Sequence, residues 1–154
     1  MRKFEKISYE QFKKDIKDDK DLYDSYCIPR RETKHAAGYD FFALYDYTVK
    51  PGEIAMIPTG IKVKMENDDV LILCDCSSMG FKYNVRFVNQ IGVIDADYYN
   101  NEKNDGHMWI KIQNEGDKDY VVKQGDKMCQ GIFLKFLLTE DDIDTNFTER
   151  DTDL

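Results

Sequence analysis

The sequence lacks a concentrated basic stripe, and its formal net charge is -8. A field of that sign repels polyanions, so DNA and RNA are not expected as ligands. A small phosphate compound is not excluded, because a divalent cation and a few donors neutralise it locally. Cysteine is sparse. Cys27, Cys74, Cys76 and Cys129 have neither the density nor the spacing of a disulfide framework and read as reduced thiols. Cys74 and Cys76 stand too close together and too alone for a zinc site. His35 and His107 are the two histidines, each isolated in the sequence and each read as structural or solvated. No stretch approaches the ~20 apolar residues of a membrane span. The opening Met1-Arg2-Lys3-Phe4-Glu5-Lys6 mixes both charges without an apolar h-region, so a cytoplasmic protein without a membrane partner is expected. No internal repeat is present, and the close turn signals leave no room for βαβ units.

What the sequence does contain points to one packed domain. Its 154 residues are 42% hydrophobic, with ten Tyr and nine Phe, far from the aromatic-poor composition of disorder. Ser8-Tyr9-Glu10-Gln11 has capping-box form, and Tyr9, Phe12 and Ile16 follow at helical spacing, which predicts a short amphipathic helix. The charge-dense run from Asp15 to Asp24 reads as a solvated helix end and linker. From Ala37 the period changes to two: Ile61 to Met65 and Met108 to Gln113 alternate strictly and predict half-buried strands. The apolar runs Val70 to Cys76 and Met128 to Leu138 read as strands buried on both faces. Pro51-Gly52, Thr59-Gly60, Asn67-Asp68-Asp69, Glu115-Gly116-Asp117 and Gly125-Asp126 punctuate these runs at the intervals of a sandwich or barrel. The expected organisation is an N-terminal helix and linker over 1–28, an all-β domain over 29–138 and an acidic tail over 139–154.

Three segments could carry chemistry. Gly92-Val93-Ile94-Asp95-Ala96-Asp97-Tyr98 sets two carboxylates and a phenol at a strand end, where a carboxylate can act as general base toward a water. It also fits a plain strand terminus. Cys76-Ser77-Ser78-Met79-Gly80-Phe81-Lys82 follows a buried strand with hydroxyls and backbone N–H groups able to hold phosphate oxygens, and equally fits an ordinary Ser/Gly loop. Gly125-Asp126-Lys127-Met128-Cys129-Gln130 reads first as a turn entering a strand.

In combination these segments resemble a family. Ala37-Gly38-Tyr39-Asp40, Pro58-Thr59-Gly60-Ile61, Ser77 to Lys82, Asn89 with Gly92 to Tyr98, and Gly125 to Gly131 stand in one order from about Pro29 to Phe136. This order is similar to the first four of the five motifs of trimeric dUTPases, which hydrolyse dUTP to dUMP and pyrophosphate. The N-terminal helix and the Tyr98-Tyr99-Asn100-Asn101 loop resemble the forms found in Firmicutes and their phages. The resemblance implies a distorted jelly-roll (β-clip) barrel, a homotrimer and Mg2+ held by substrate phosphates and water rather than by protein ligands. It implies Asp95 as the base that activates water. It further implies Asn89 and the backbone at Val93 and Ile94 as the reader of uracil, and Tyr98 against the deoxyribose. Ser77, Ser78 and Gln130 become phosphate contacts, together with position 76. Asp40, Gly80 and Gly92 become supporting residues.

Two departures accompany the resemblance. The serine pair is preceded by Cys76, where the family has a phosphate-binding arginine, so a bidentate cation is replaced by a neutral thiol. The fifth motif, a Gly-rich lid with Arg and Phe, is not found in Thr148-Glu149-Arg150-Asp151-Thr152-Asp153-Leu154: either the sequence stops short of a lid or the protein has none. These departures keep open a second reading, a nucleotide-binding or regulatory protein with weak or no turnover. A third, dCTP deaminase, shares the fold and the serine pair, but Asp95-Ala96-Asp97-Tyr98 follows the dUTPase pattern.

Overall fold

A computed structural model of the chain describes residues 1–142 and Phe147. The expected strands at 61–65 and 108–113 are present as β5 (Ile61–Lys64) and β9 (Trp109–Asn114). The others are β1 (Lys3–Lys6), β2 (Tyr39–Phe42), β3 (Tyr47–Val49), β4 (Ile54–Pro58), β6 (Asp69–Cys74), β7 (Val85–Phe87), β8 (Gly92–Asp95), β10 (Tyr120–Val122) and β11 (Lys127–Lys135). All the ladders are antiparallel. Their order is β2-β11-β6-β8 in the largest sheet and β4-β9-β7 in the next, with β1-β5 and β10-β3 as pairs. The all-β reading therefore holds, and the short strands enclose one core around Phe41, Leu71, Leu73, Met79, Phe87, Ile112 and Met128.

Two elements differ from the sequence-based expectation of doubly buried strands. In β6 Asp69, Leu71 and Leu73 are buried while Val70, Ile72 and Cys74 are partly exposed. In β11 burial ends at Gly131, and Leu134 and Lys135 are exposed. One face of each strand packs on the core. Among the described residues the other face of each stays partly exposed.

The N-terminal region is more ordered than a helix and a linker. The predicted helix is α1 (Tyr9–Asp15), capped by the Ser8 hydroxyl accepting from the Gln11 N–H at 3.2 Å. A second helix, α2 (Lys20–Ser25), occupies the charge-dense run, with the Asp19 carboxylate accepting from the Leu22 N–H. Its charges face water while Leu22, Tyr23 and Tyr26 pack with Tyr9 and Ile16 around Ile7, Phe12 and Leu44. This small aromatic core is tied to the barrel at Gly60. There φ is +74°, and a Cβ would lie 2.9 Å from the Tyr26 ring, so only glycine fits. The Tyr26 hydroxyl donates to the Gly60 carbonyl at 2.8 Å, and the Gly60 N–H donates to His107 Nε2 at 2.9 Å.

His107 is fully buried, and its Nδ1 donates to the Asp15 carboxylate at 2.5 Å. Because Nε2 accepts from Gly60, the ring is neutral, and burial pulls its pKa below the ordinary 6.5 despite the Asp15 carboxylate. Unfolding lets the imidazole take a proton that the folded state refuses. Its contribution to stability is therefore complete above about pH 6.5 and is lost as pH falls through that value. Thermal melts between pH 8 and pH 5.5 are expected to show Tm falling below pH 6.5, less steeply in His107→Asn; identical profiles for the two proteins would contradict this.

Candidate active site

The segment after β6 forms a helix rather than the expected loop. Cys76, still extended at φ -75° and ψ 149°, is the N-cap of α3 (Ser77–Tyr83), and its side chain makes no capping bond. Met79 anchors the helix by full burial, while Ser77, Ser78 and Gly80 stay exposed. Asn84 ends it in the left-handed conformation at φ 58°. Burial pushes the Cys76 thiol up to about 11, with the Asp40 carboxylate acting in the same sense. Position 76 thus carries an uncharged S–H at neutral pH.

Gln130 and Asp40 sit opposite each other in the β2/β11 ladder, and Gln130 also opposes Cys74 across β6. The Gln130 amide donates to the Asp75 carbonyl at 2.9 Å, joining β11 to the residue before Cys76. Its side chain passes over Gly38, where an added Cβ would lie 2.2 Å from Gln130 Oε1; the glycine of Ala37-Gly38-Tyr39-Asp40 is there for close approach. Asp40 is largely enclosed and pairs with Lys127 at 3.6 Å. Cys76, Ser77, Ser78, Gln130 and Asp40 are thereby gathered at one end of the largest sheet. Asp75 lies among them, its carboxyl raised by burial and its Oδ1 buried without a hydrogen-bond partner.

The residues from Asn89 to Tyr98 run along the edge of the same sheet, from Gly92 level with Leu73 to Asp95 level with Val70. Asn89 and Gln90, the latter at φ 69°, form the turn between β7 and β8. β8 is the edge strand beside β6, with Gly92 opposite Leu73, Val93 opposite Ile72, Ile94 opposite Leu71 and Asp95 opposite Val70. A Cβ at Gly92 would press on Leu73 at 3.2 Å. Asp95 is exposed and caps a 3-10 turn, Ala96–Tyr98. It borders a cleft of about 310 Å³ lined by Asn67, Asp95, Ala96, Asp97 and Phe136. The Tyr98 ring is held from behind. Asn104 Nδ2 donates to its hydroxyl at 2.6 Å, and Asn101 Nδ2 donates to its carbonyl at 2.8 Å.

The register separates these groups. Asp95 is level with Val70, and Ser77 lies roughly seven residues further along β6 and its extended continuation, on the order of 20 Å at ~3.3 Å per residue. One chain gathers Cys76, Ser77, Ser78, Gln130 and Asp40, and separately places Asp95, without joining them.

The dUTPase family model matches residues 24–152. The chain belongs to the dUTPase family. A deoxyuridine 5'-triphosphate nucleotidohydrolase of Lactococcus lactis is 42% identical over 123 residues, covering 80% of this chain and 82% of its own. One from Desulfitobacterium hafniense is 34% identical over 116 residues, 73% of each chain. Among solved structures, the Streptococcus mutans dUTPase is 36% identical with a TM-score of 0.72, over 89% of this chain and 98% of its own. A mutant dUTPase of Staphylococcus aureus phage phi11 that coordinates a structural Mg(II) ion has a TM-score of 0.69 at 21% identity, covering 96% and 98%, a likeness of fold. The four antiparallel sheets are thus the dUTPase jelly roll.

Lys127, in sequence one charge in a turn, lies three residues before Gln130 inside a motif of the family. It bridges Glu32 and Asp40. Among the described residues no group of three or more His, Cys, Asp or Glu side chains is positioned to hold a metal ion.

Proposed function

We propose that this chain is a dUTP diphosphatase, hydrolysing dUTP to dUMP and pyrophosphate in a cytoplasmic homotrimer. Membership of residues 24–152 in the dUTPase family, with relatives at 42% and 34% identity that bear that activity in their names, carries the reading. Asp95 takes a proton from water as the water oxygen bonds to the α-phosphorus; the α–β bridging P–O bond breaks and its electron pair leaves on pyrophosphate. Asp95 suits this role because it is exposed at a strand end, open to water. The edge of β8 supports base reading, since an edge strand presents backbone N–H and C=O groups to a pairing partner such as uracil. Asn89 adds a side-chain amide. Tyr98 packs on the deoxyribose, and its Asn104 tether fixes the ring where a 2'-hydroxyl needs room.

On the phosphate side, Ser77, Ser78 and Gln130 offer neutral donors. Mg2+ is a hard cation that prefers phosphate oxygens and water, and when bound it offsets the triphosphate charge. The enclosed Asp40 supports this end from the neighbouring strand, paired with Lys127. Four free cysteines suit the reducing cytoplasm.

The separation along β6 supports a site shared between copies of the trimer, with Asp95 of one meeting the Ser77 and Gln130 end of another over strand faces that are partly exposed in one chain. Two inactive variants, Asp95→Asn and Gln130→Ala, unfolded together and refolded as an equal mixture, are expected to regain activity at about a quarter of the sites, since each site draws its two halves from different copies. Light scattering showing a stable monomer at micromolar concentration, or no regain on mixing, would contradict the shared site.

A further inference from the structure

Position 76 leaves the phosphate side without the guanidinium that the family places there, and the cations around it are unequal in their freedom. Arg86 is spent: Nε pairs with Glu115 at 2.5 Å, and the other nitrogens donate to Gln113 and to the Phe87 and Val88 carbonyls. Lys82 is in the last turn of α3 with its ammonium over the Tyr83 ring, at the far end of the helix from Ser77. Arg31 is folded into its own loop, donating to the Lys34 and Ala36 carbonyls. Arg30 lies over the Phe42 ring at 5.3 Å.

Lys127 differs from all of these in position and in partners. The β6/β11 ladder ends with Cys74 opposite Gln130, so Lys127, three residues before Gln130 in β11, lies beyond the same end of β6 from which the chain continues through Cys76 into α3. The Lys127 ammonium and the Asp40 carboxylate both act on the Cys76 thiol, in opposite senses. Lys127 is partly exposed, and its partners are the carboxylates of Glu32, itself largely exposed, and Asp40. The pair with Glu32 is a surface ion pair, which an ammonium on a four-carbon stem exchanges readily, while the enclosed Asp40 keeps that stem beside the sheet.

We propose that Lys127 is the phosphate-binding cation of this site, leaving Glu32 to donate to the terminal phosphate oxygens of the substrate and supplying the charge that Cys76 does not. The inference rests on the diphosphatase reading above and adds a binding residue to it. Glu32 acts as the resting counter-ion, so the cation is neutralised until a triphosphate displaces the carboxylate. No covalent bond is made or broken in this exchange; the Lys127–Glu32 hydrogen bond is traded for one to phosphate.

The test is titration of the whole chain with Mg2+ and the non-hydrolysable α,β-imido analogue of dUTP, and separately with dUMP, for the parent, Lys127→Gln, Lys127→Arg, Arg30→Gln and the double variant Cys76→Arg/Lys127→Gln. Loss of one charge-assisted contact is expected to weaken the triphosphate analogue about tenfold in Lys127→Gln while dUMP affinity stays at the parental value. Lys127→Arg and the double variant are expected to regain the lost affinity, and Arg30→Gln to match the parent. Unchanged triphosphate binding in Lys127→Gln, equal losses for dUMP and the triphosphate, or a loss in Arg30→Gln instead would overturn the role of Lys127 and leave the diphosphatase reading standing. A folded parent that binds neither nucleotide would overturn both.

Discussion

Asp95→Asn is expected to lower the rate of dUTP hydrolysis by about 10²–10⁴-fold, the usual contribution of a positioned general base, with nucleotide affinity near the parental value. The amide keeps the size and hydrogen-bonding reach of the carboxylate but cannot take the proton from water. Asp95 is exposed at the end of β8, and its backbone pairs with Val70, so the change neither opens a cavity nor removes a core contact. The fold is therefore expected to persist, and a loss of turnover reports on chemistry. Steady-state pyrophosphate release and titration with the imido analogue separate the two quantities. A variant that turns over at the parental rate would remove Asp95 from the mechanism.

Cys76→Arg is expected to raise the rate ten- to hundredfold. A bidentate, charge-assisted contact to phosphate is worth roughly 1.5–3 kcal/mol, which corresponds to about one to two decades in rate. Lys127 supplies charge from the neighbouring strand but not a planar pair of donors, so the parent is expected to be slow rather than inert. The Asp40 carboxylate beside position 76 offers the new guanidinium a partner and limits the cost of placing it next to Lys127. Both proteins have the same C-terminus, so any contribution of a lid cancels in the comparison. A rate that falls on adding arginine would mean that the thiol position is already served.

Local pattern revealed the strands better than the N-terminal region. The strict alternation in β5 and β9 was legible because each has one face on the core. β1 was not, since of Lys3–Lys6 only Phe4 is buried, and the strand exists through its pairing with β5. The α2 segment reads as linker by charge density; its start is marked only by the Asp19 cap, and its packing on Phe12 is a tertiary fact. α3 looked like a loop because two serines and a glycine dominate it, yet buried Met79 and the left-handed Asn84 make it a helix. The acidic tail expected over 139–154 lies mostly outside the described residues, as does the stretch Thr148 to Leu154.

The site shows the same division. Identities such as Asp95, Ser77 and Gln130 are recognisable from ordered motifs, because each chemical role needs a particular residue type. Their distances are not, because strand order and register are set by contacts far apart in sequence. Lys127 illustrates the gap: in sequence it is one charge in a turn, and only the register beside Cys76 gives it a neighbour to substitute for.

Release of pyrophosphate from dUTP, with dTTP, dCTP and UTP alongside and with Mg2+ present or withheld, tests the central claim most directly. Hydrolysis confined to dUTP and dependent on Mg2+ is the predicted result. No pyrophosphate from any nucleotide, or equal release from UTP and dUTP, would contradict it.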